Sequence, residues 1–563
     1  MFQYLFSFFL SVIISCSVFA QAKYQTDYHS PLGIPLVLSS NFGELRPNHF
    51  HMGLDFKTNG KIGYRLYSIE KGHVSRIKVS PYGYGKVVYI DHPNGVTSVY
   101  AHCSEFKGTI DSLVKATQIE QQNYAVEVFP KKGDIPVSKG QIIAISGNTG
   151  GSTAPHLHFE LRDTKTEHAL NPLVYGFNMA DQKKPEIRGV KIYGVTKDGY
   201  RYEGKEIKRT VISSKGSYTV SGQKITVPAH FSSKTGGIGF AFDVIDRLDG
   251  ANNKCGLYGS LLIVNNDTIF EQRIDRIPFE STRYVNCHKD FAEYQKNKKK
   301  FHKSFRTTEN DLPIYIGDKM GILTANPGEI FKIKFIAFDP KGNTSELNFE
   351  LVISEGKQNV VDSIARDLTF LQPSQSMRVE NGKTTVDFGI GTIYEPLRIS
   401  DKEIERSIGK ANIPVHKAYR IKINSGEYQD GKHYIEMITA KGRRRNLLVN
   451  YDKNTILCES KYFGNYSLKR DTVPPRAVPF NFSSSSKIMS KKVMQWKISD
   501  VGTGIEDYDL FIEGEWKLLE YEYKNGLVTY SRTPDVTGTK KVLLQVKDDC
   551  GNITEWRRNI IFN

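Results

Sequence analysis

Two short segments of the chain combine histidine and carboxylate side chains in a pattern suited to metal binding. In residues 50–56, apolar residues alternate with polar or small ones, including His51 and Asp55. In residues 156–162, two histidines and Glu160 alternate with apolar residues. Strict alternation is typical of a β-strand with one apolar face and one polar face. We therefore expect two strands, each presenting a row of potential metal ligands.

The spacing within each segment limits how these side chains can meet. Residues two apart on a strand lie roughly 6.6 Å apart at Cα, so His156 and His158 can point into one site. His51 and Asp55 would lie roughly 13 Å apart on a straight strand, too far to share an ion. We expect the chain to bend between them at Gly53, where a bend is least costly. Two imidazoles and one carboxylate leave a zinc ion one open position for water, the usual catalytic arrangement.

Together with the sequence between them, the two segments resemble the lysostaphin-type, or LytM-like, family of zinc metallopeptidases, which cut peptidoglycan. The resemblance covers about residues 38–177. The motifs that carry it are HMGLDF from His51, YAH ending at His102, SGNTG from Ser146 and PHLHFE from Pro155. The resemblance implies a lysostaphin-like antiparallel β catalytic domain built as a duplicated hybrid motif.

The resemblance also implies a role for each site residue. His51, Asp55 and His158 correspond to ligands of one zinc ion, whereas His102 and His156 correspond to catalytic residues that do not bind the metal. Zinc lowers the pKa of bound water and polarises the scissile carbonyl. Since no H-E-x-x-H helix supplies a glutamate base, one of the two catalytic histidines must accept the proton of the water and the other can stabilise the oxyanion. Either histidine suits either role.

The N-terminus predicts export. Residues 1–20 carry no charge and are mostly apolar, and Val18-Phe19-Ala20 suits a signal-peptidase site, so we expect a signal peptide and a location in the periplasm or cell envelope. A lipoprotein anchored at Cys16 and an uncut membrane anchor are the alternatives. The five later cysteines are an odd number without a C-x-x-C motif, so a disulfide framework is not expected, although one bridge such as Cys255–Cys287 is an option.

Charge indicates the kind of partner. The chain has 77 Lys and Arg against 61 Asp and Glu, a net charge of +16. Residues 21–180 hold 16 basic and 13 acidic residues, a net charge of +3, which leaves +13 for the remainder. With export, this excess favours an anionic envelope polymer or membrane surface and not nucleic acid. The lysine-rich stretch at 283–316 is the strongest candidate for such a contact. The glycine-rich residues before His156 lack the Lys-Ser/Thr ending of a phosphate loop, which argues against nucleotide binding.

Strand signals dominate the whole chain, which is too long for one core. We predict a mainly β protein: the zinc metallopeptidase domain at 38–177, a β-sandwich module with a basic insertion at 183–356, a β-rich module at 360–470 and an immunoglobulin-like β-sandwich module at 471–563. A hairpin is expected over 86–102 and a helix over 110–122.

An internal repeat supports the two sandwich modules. Residues 337–346 align with residues 546–555, and each copy contains an Asp-x-x-Gly-Asn turn between what we expect to be the last two strands. The repeated aspartates have the chemistry for calcium, but turn formation is the simpler interpretation.

These observations predict a zinc-dependent endopeptidase that hydrolyses the peptide cross-links of bacterial peptidoglycan. The alternative is a non-enzymatic envelope regulator that binds and activates a wall hydrolase, and a structural adhesin is a third reading. The C-terminal β-sandwiches would position the chain on the wall or dock a protein partner.

Overall fold

The computed structural model describes residues 27–214, 217–232, 236–356, 370–424, 426, 430–439, 442–483, 488–489 and 492–563. The predicted signal peptide at 1–20 and the alternative lipid-anchor residue Cys16 lie outside the described residues. Strands dominate the described chain, and the predicted mainly β fold is confirmed.

The N-terminal region (residues 27–180) contains both segments with potential metal ligands, residues 50–56 and 156–162. Its strands are β1 (Leu38–Ser40), β2 (Leu54–Lys57), β3 (Arg65–Tyr67), β4 (Gly72–Val79), β5 (Lys86–Asp91), β6 (Val96–Cys103), β7 (Glu105–Phe106), β8 (Val126–Val128), β9 (Pro136–Val137), β10 (Ile142–Ile145), β11 (His156–Asp163) and β12 (Ala169–Leu170). The main sheet runs β1-β2-β11-β6-β5-β4-β8, and β3-β10-β7 form a smaller sheet. Helix α1 (Thr109–Glu120) lies where a helix was predicted.

The alternation of residue types predicted the centre of the main sheet well. The expected hairpin is the antiparallel pair β5 and β6, and β11 covers the expected second ligand strand. The first ligand strand is shorter than expected, because β2 begins only at Leu54 and residues 51–53 form a bend. The predicted strand over 50–56 is therefore wrong in its first half, whereas the predicted bend at Gly53 is confirmed.

The second region (residues 181–356) forms one continuous sheet, ordered β19-β18-β22-β23-β15-β14-β13-β17-β21. Its strands are β13 (Glu186–Thr196), β14 (Arg201–Ser214), β15 (Ser217–Val220), β16 (Lys224–Val227), β17 (Gly236–Ile245), β18 (Gly259–Val264), β19 (Asp267–Arg273), β20 (Arg276–Ile277), β21 (Phe301–Lys303), β22 (Ile330–Phe338) and β23 (Thr344–Ile353). Two short helices, α2 (Val285–His288) and α3 (Phe291–Asn297), lie in the predicted insertion. Strand β20 pairs with β12, which joins this region to the N-terminal sheet.

The third region (residues 370–470) packs a five-stranded sheet, β25-β26-β29-β33-β32, with a four-stranded sheet, β28-β34-β30-β31. Its strands are β24 (Phe370–Leu371), β25 (Met377–Asn381), β26 (Thr384–Phe388), β27 (Leu397–Arg398), β28 (Ser407–Ile408), β29 (Pro414–Asn424), β30 (His433–Ile438), β31 (Arg444–Leu448), β32 (Asn450–Asp452), β33 (Thr455–Tyr462) and β34 (Gly464–Arg470).

The fourth region (residues 471–563) packs the sheet β35-β37-β41-β40 on the sheet β36-β43-β42-β38-β39, around Trp496. Its strands are β35 (Arg476–Pro479), β36 (Ile488–Met489), β37 (Val493–Ser499), β38 (Ile505–Ile512), β39 (Glu515–Lys517), β40 (Glu520–Glu522), β41 (Leu527–Ser531), β42 (Gly538–Asp548) and β43 (Ile553–Phe562).

The predicted repeat is present in the second and fourth regions. The two Asp-x-x-Gly-Asn turns join β22 to β23 and β42 to β43, the last two strands of each region. In both regions an early strand pairs parallel with the last one, β16 with β23 and β36 with β43. We keep the predicted boundaries at 38–177, 183–356, 360–470 and 471–563 as a proposal for the independently folding units.

One apolar core includes buried side chains from both the N-terminal and the second region. The core of the N-terminal region also contains residues of the second region, namely Leu248, Cys255, Ile274, Ile277, Val285, Leu312 and Ile314. These side chains come from the loops, the short strand β20 and the insertion of the second region, and none of them belongs to its own apolar core. The N-terminal region therefore depends on the second region for part of its apolar packing.

The lysine-rich insertion packs inward. Lys289 is 0% exposed, and its Nζ donates to the carbonyl oxygens of Arg46 and Pro47 at 2.6 and 2.9 Å. Lys300 forms an ion pair with Glu44 at 2.7 Å. The expectation that this stretch offers a free basic surface is wrong for these lysines, because the N-terminal region already uses their charges and donors.

The cysteines are free and buried throughout the described chain: Cys103, Cys255, Cys287, Cys458 and Cys550. The suggested Cys255–Cys287 bridge is therefore wrong. Cys287 lies in α2 and contacts the carbonyl oxygen of Tyr284, while Cys255 lies in the first core. Among the residues that the structure describes, no helix has the length and apolarity needed to cross a membrane.

We predict that Ile274→Ala destabilises the N-terminal region although residue 274 belongs to the second. Ile274 is fully buried in the first core, next to Gly43, and an Ile-to-Ala change in a core costs about 2–5 kcal/mol. Hydrogen exchange should become faster in residues 38–57. The control is Ile316→Ala, since Ile316 belongs to the same region but is 50% exposed. Equal exchange rates in both variants would contradict the shared core.

Candidate metal centre

The candidate site forms where β2 and β11 pair. The register places His158 directly opposite Asp55, and the loop that carries His51 folds back over them. His51 Nε2 lies 3.0 Å from Asp55 Oδ1, and His158 Nδ1 lies 2.9 Å from the same oxygen. The two ring nitrogens are 3.1 Å apart. The structure thus brings together the three side chains predicted as metal ligands, and all three are buried.

Gly53 makes this close approach feasible. A Cβ atom at position 53 would lie 2.4 Å from the carbonyl oxygen of Phe159 and 3.1 Å from a ring carbon of His158. Any side chain would therefore push the His51 loop away from β11. Glycine serves here both as the bend and as the point of contact between two backbones.

The proton positions on the two imidazoles follow from their outer partners. His51 Nδ1 lies 2.8 Å from the carbonyl oxygen of Asn41, which can only accept, so Nδ1 carries the proton. His158 Nε2 lies 2.8 Å from a carboxylate oxygen of Glu160, so Nε2 carries a proton there. His51 Nε2 and His158 Nδ1 are thereby left to face Asp55, where each can present a lone pair to a metal ion once any proton on it is displaced.

Three lone pairs that converge at these distances repel one another unless a positive charge lies between them. Ligand atoms about 2.0–2.1 Å from a tetrahedral ion are about 3.3 Å apart, close to the observed separations. The donor set of two imidazole nitrogens and one carboxylate oxygen is one that zinc accepts, with a fourth position left for water. The residues present therefore fit one zinc ion.

The close approach of the candidate ligands shifts the pKa values of His158 and Asp55. Burial lowers the pKa of His158, but Asp55 and Glu160 outweigh burial and raise it to about 9. For Asp55 the effects have the opposite sign. Burial raises its pKa, but the imidazoles around it outweigh burial and hold that pKa well below its ordinary value. Metal binding is therefore expected to displace a proton from the site.

His102 and His156 lie beside the three candidate ligands without joining them. Their ring centroids are 4.9 Å apart, and His156 Nε2 lies 3.4 Å from Asp55 Oδ1. The Nδ1–H of His102 donates to the carbonyl oxygen of Thr149 at 2.8 Å, and that of His156 donates to Ala154 at 2.8 Å. In a neutral ring of this kind Nε2 is unprotonated and can accept a proton.

A β-bulge directs His102 into the site. Between the pairs Lys86–Cys103 and Val88–Tyr100, β6 places two residues opposite the single residue Val87. His102 has a φ of 60°, a conformation that costs energy for a residue with a side chain and recurs at functional sites. Burial, with His158 and His156 adding to it, lowers the pKa of His102 to about 3, so the ring is neutral near pH 7.

A buried network fixes His158 from behind, and the sequence did not reveal its role. Glu160 is 0% exposed and accepts hydrogen bonds from His158, from Arg162 at 2.7–2.8 Å and from the hydroxyl of Tyr84. Burial raises the pKa of Glu160, but Arg162 and His158 outweigh it and hold the pKa at about 2. The alternation placed Glu160 and Arg162 on the ligand face, which was the available signal, whereas nothing in the sequence indicated Tyr84.

The second region holds the loop that carries His51. Thr282 Oγ1 accepts a hydrogen bond from the backbone N–H of Phe50 at 2.9 Å, and Lys289 binds the carbonyl oxygens of Arg46 and Pro47. Arg46 in turn lies 3.6 Å from Asp55 Oδ2. Sequence reasoning missed the contacts of Thr282 and Lys289, because they join residues more than 200 positions apart.

Comparison with known proteins identifies the domain that contains the site. Residues 49–120 and 122–172 match the model of peptidase family M23, so the chain contains an M23 peptidase domain. The stated resemblance is thereby confirmed for this region.

Curated relatives match the same part. The chain is 34% identical over 153 residues to a protein from Haemophilus influenzae named uncharacterized metalloprotease. The aligned residues make up 26% of this chain and 26% of that relative. The chain is 34% identical over 130 residues to the peptidoglycan DD-endopeptidase ShyA of Vibrio cholerae, covering 22% of this chain and 24% of the relative. The chain thus spans about a quarter of the length of these relatives.

Among solved structures, the catalytic domain of the prophage-encoded M23 protein EnpA from Enterococcus faecalis is 27% identical. The match covers 27% of this chain and 98% of that domain, with a TM-score of 0.20.

We predict that Glu160→Gln weakens zinc binding by about 10–100-fold, because the carboxylate that orients and polarises His158 is replaced by a neutral amide. The measurement is competition for zinc with a chromophoric chelator. Glu167→Gln is the matched control, since Glu167 also binds Arg162, at 3.1 Å, but its side chain is 63% exposed and does not contact His158. Unchanged zinc affinity in Glu160→Gln would contradict the orienting role.

Proposed function

We propose that this protein is an exported, zinc-dependent endopeptidase that hydrolyses the peptide cross-links of bacterial peptidoglycan. The observation that carries the proposal is the convergence of His51 Nε2, Asp55 Oδ1 and His158 Nδ1 at 2.9–3.1 Å, beside two further imidazoles that bind other partners. The M23 match and the DD-endopeptidase name of a relative support the substrate class. The apolar first 20 residues support export.

In the proposed mechanism, His51, Asp55 and His158 would hold zinc, which would lower the pKa of a bound water and polarise the scissile carbonyl. The chain itself supplies the proton transfer. His102 and His156 each direct Nδ1–H at a backbone carbonyl, which leaves Nε2 as the nitrogen that can take up or donate a proton. One of them accepts the proton of the attacking water on Nε2 and later carries it to the leaving amine. The other stabilises the developing oxyanion by donating from a protonated Nε2.

Glu160 is not a candidate for the base. It is fully buried, and His158, Arg162 and Tyr84 all donate to its carboxylate. Burial raises its pKa, but Arg162 and His158 outweigh burial and hold the pKa at about 2, so Glu160 is a weak proton acceptor near pH 7. His102 and His156 therefore remain as the candidates for general acid and general base.

The fourth region would border the substrate groove. Lys524 donates to the carbonyl oxygen of Asn148, which precedes the residue that orients His102. Lys86 pairs with Glu520 at 2.9 Å, and the rings of Tyr82 and Tyr523 lie 4.9 Å apart. We propose that the β-rich regions shape access to the site and bring the enzyme to anionic envelope material, or to a protein partner, through surfaces other than the inward-facing lysines.

Digestion of purified sacculi tests the proposed function. The zinc-loaded chain should release peptides whose masses identify a cut within the cross-link, and Asp55→Ala should release none. A zinc-loaded chain that cuts neither sacculi nor soluble cross-linked muropeptides would contradict the proposal. If that chain instead raised the activity of a separate wall hydrolase, the regulator alternative would replace it.

We predict that His102→Ala and His156→Ala retain zinc but lower turnover by about 10²–10⁴-fold, the usual contribution of a positioned acid or base. Asp55→Ala should lose zinc as well as activity, because two imidazoles alone bind the ion weakly. Zinc content by atomic absorption and hydrolysis rates on one muropeptide separate the two classes. Loss of zinc in His102→Ala or His156→Ala would move that residue into the ligand set.

A further inference from the structure

Two clusters of three aspartates lie outside the M23 domain. The first triad is Asp181, Asp246 and Asp339, and the second is Asp471, Asp500 and Asp548. In each triad, one carboxylate oxygen from every member lies within 4.8 Å of the others. Two oxygens on opposite sides of a calcium ion, each about 2.4 Å from it, are at most about 4.8 Å apart.

The two triads occupy equivalent places in the repeated fold. Asp181 and Asp471 each lie five residues before the first strand of their region, in a D-x-x-x-P sequence. Asp246 and Asp500 each directly follow the strand that pairs with that first strand, β17 or β37. The third members stand between the last two strands, where Asp339 follows β22 and Asp548 ends β42.

Hydrogen bonds repeat as well. The side-chain amide of Asn343 donates to the carbonyl oxygen of Asp181 at 3.1 Å and to Asp339 Oδ2 at 2.6 Å. In the second copy Asn552 donates to the carbonyl oxygen of Asp471 at 3.2 Å and to an oxygen of its own turn aspartate at 2.8 Å. The turn-forming role expected from sequence is therefore present for the third aspartates. Asp181, Asp471 and Asp500 also accept hydrogen bonds from backbone N–H groups of their own loops. Local turn formation does not explain why three carboxylates from separate loops converge.

Incompletely satisfied carboxylates distinguish these clusters from ordinary turns. Asp246 is 1% exposed, and its carboxylate receives a single hydrogen bond, from the backbone N–H of Arg247 to Oδ1. Asp500 accepts two backbone hydrogen bonds at Oδ2, but its Oδ1 is buried and has no hydrogen-bond partner. A buried polar oxygen without a partner is costly, so Asp500 Oδ1 in particular calls for a ligand.

Protein cations do not satisfy this need. Across the described parts of the chain, no Lys, Arg or His forms an ion pair with any of the six aspartates, although the chain as a whole has a net charge of +16. Burial, reinforced by Asp339 and Asp181, raises the pKa of Asp246 to about 8. Burial also raises the pKa of Asp500, with Asp471 and Asp548 adding to the effect.

We propose that the two triads are calcium-binding sites, one in the second region and one in the fourth. The donors are all oxygens, which favours a hard cation over zinc. The carboxylates come from three separate loops, and such a ligand set adapts more easily to the irregular coordination of calcium than to the strict octahedron of magnesium. This inference is independent of the proposed peptidase activity.

Each site lies where one region meets the next. Asp181 belongs to the segment that enters the second region, and Lys341 in the turn beside Asp339 donates to Asn178 of the N-terminal region. At the second site, Lys432 of the third region donates to the carbonyl oxygen of Cys550 and to Asn552. Calcium at these positions would hold the entering segment against the last hairpin and thereby fix the angle between consecutive regions.

Calorimetric titration of the full-length chain, loaded with one equivalent of zinc and freed of calcium, tests the proposal. Calcium chloride should bind at two per chain, with affinities of about 10⁻⁴–10⁻³ M, as in other extracellular modules, and with magnesium binding at least tenfold more weakly. Asp246→Asn and Asp500→Asn should each reduce the stoichiometry to one, and the double variant should bind none. The controls Asp267→Asn and Asp507→Asn, on exposed strand ends of the same two regions, should keep two.

Thermal unfolding is a second measurement. If the aspartates only formed turns, calcium would not change the Tm. Calcium should raise the Tm of the wild type and of both controls. In calcium-free buffer, Asp246→Asn and Asp500→Asn should unfold at or above the wild-type temperature, since each removes one carboxylate from a cluster of three that repel one another. Calcium should not raise the Tm of the double variant.

The absence of calcium binding up to 10 mM, where sites of about 10⁻³ M affinity would be occupied, would overturn the proposal. So would a stoichiometry that Asp246→Asn and Asp500→Asn leave unchanged, or equal binding of magnesium. A single calcium ion lost in only one of the two variants would overturn the assignment for the other triad.

Discussion

The candidate zinc ligands of the N-terminal region hold three donor atoms about 3 Å apart, and the rest of the site depends on that convergence. His51 and His158 each donate one N–H outward, to Asn41 and Glu160, and direct the other ring nitrogen at Asp55. Such an arrangement is unfavourable without a cation. The surrounding chain must therefore supply rigid support, and the features around the site serve that end: Gly53 lets two backbones touch, and the bulge in β6 turns His102 inward.

The support extends beyond the M23 domain. The loop before His51 is held by Thr282 and by the buried Lys289, both from the second region. The orienting partner of His102, the carbonyl oxygen of Thr149, follows Asn148, which the fourth region contacts through Lys524. The geometry of the candidate site is thus coupled to regions that contribute no candidate ligand or acid–base residue to it. Ions at the junctions of those regions would act on the groove through their relative orientation, without touching the substrate.

The sequence predicted the local parts of this structure well. Alternation located β11, the Asn-Gly turn located the β5–β6 hairpin, and the glycine between His51 and Asp55 marked the bend. These features depend on neighbours in the chain, so they leave a periodic or compositional trace. The same logic failed at residues 50–53, where an alternating pattern belongs to a loop because backbone contacts with β11 override strand propensity.

Contacts between residues far apart in the chain left no periodic or compositional pattern in the sequence. Tyr84 reaches Glu160 across the sheet, and Lys289 looks like one more surface lysine in a basic stretch. Only the folded chain shows that this lysine is buried against two carbonyls. The aspartate triads show an intermediate case. One member of each triad, Asp339 or Asp548, stood in the recognised repeat, while the other two lie elsewhere in the sequence and only the fold brings them together.

The most direct test of the account is a crystal structure of the zinc-loaded protein with diffraction collected on both sides of the zinc absorption edge. The account predicts one anomalous peak in the N-terminal region, about 2.0–2.2 Å from His51 Nε2, Asp55 Oδ1 and His158 Nδ1, with the Nε2 atoms of His102 and His156 outside bonding distance. A peak bound by His102 or His156, or zinc located only at the aspartate triads, would contradict it.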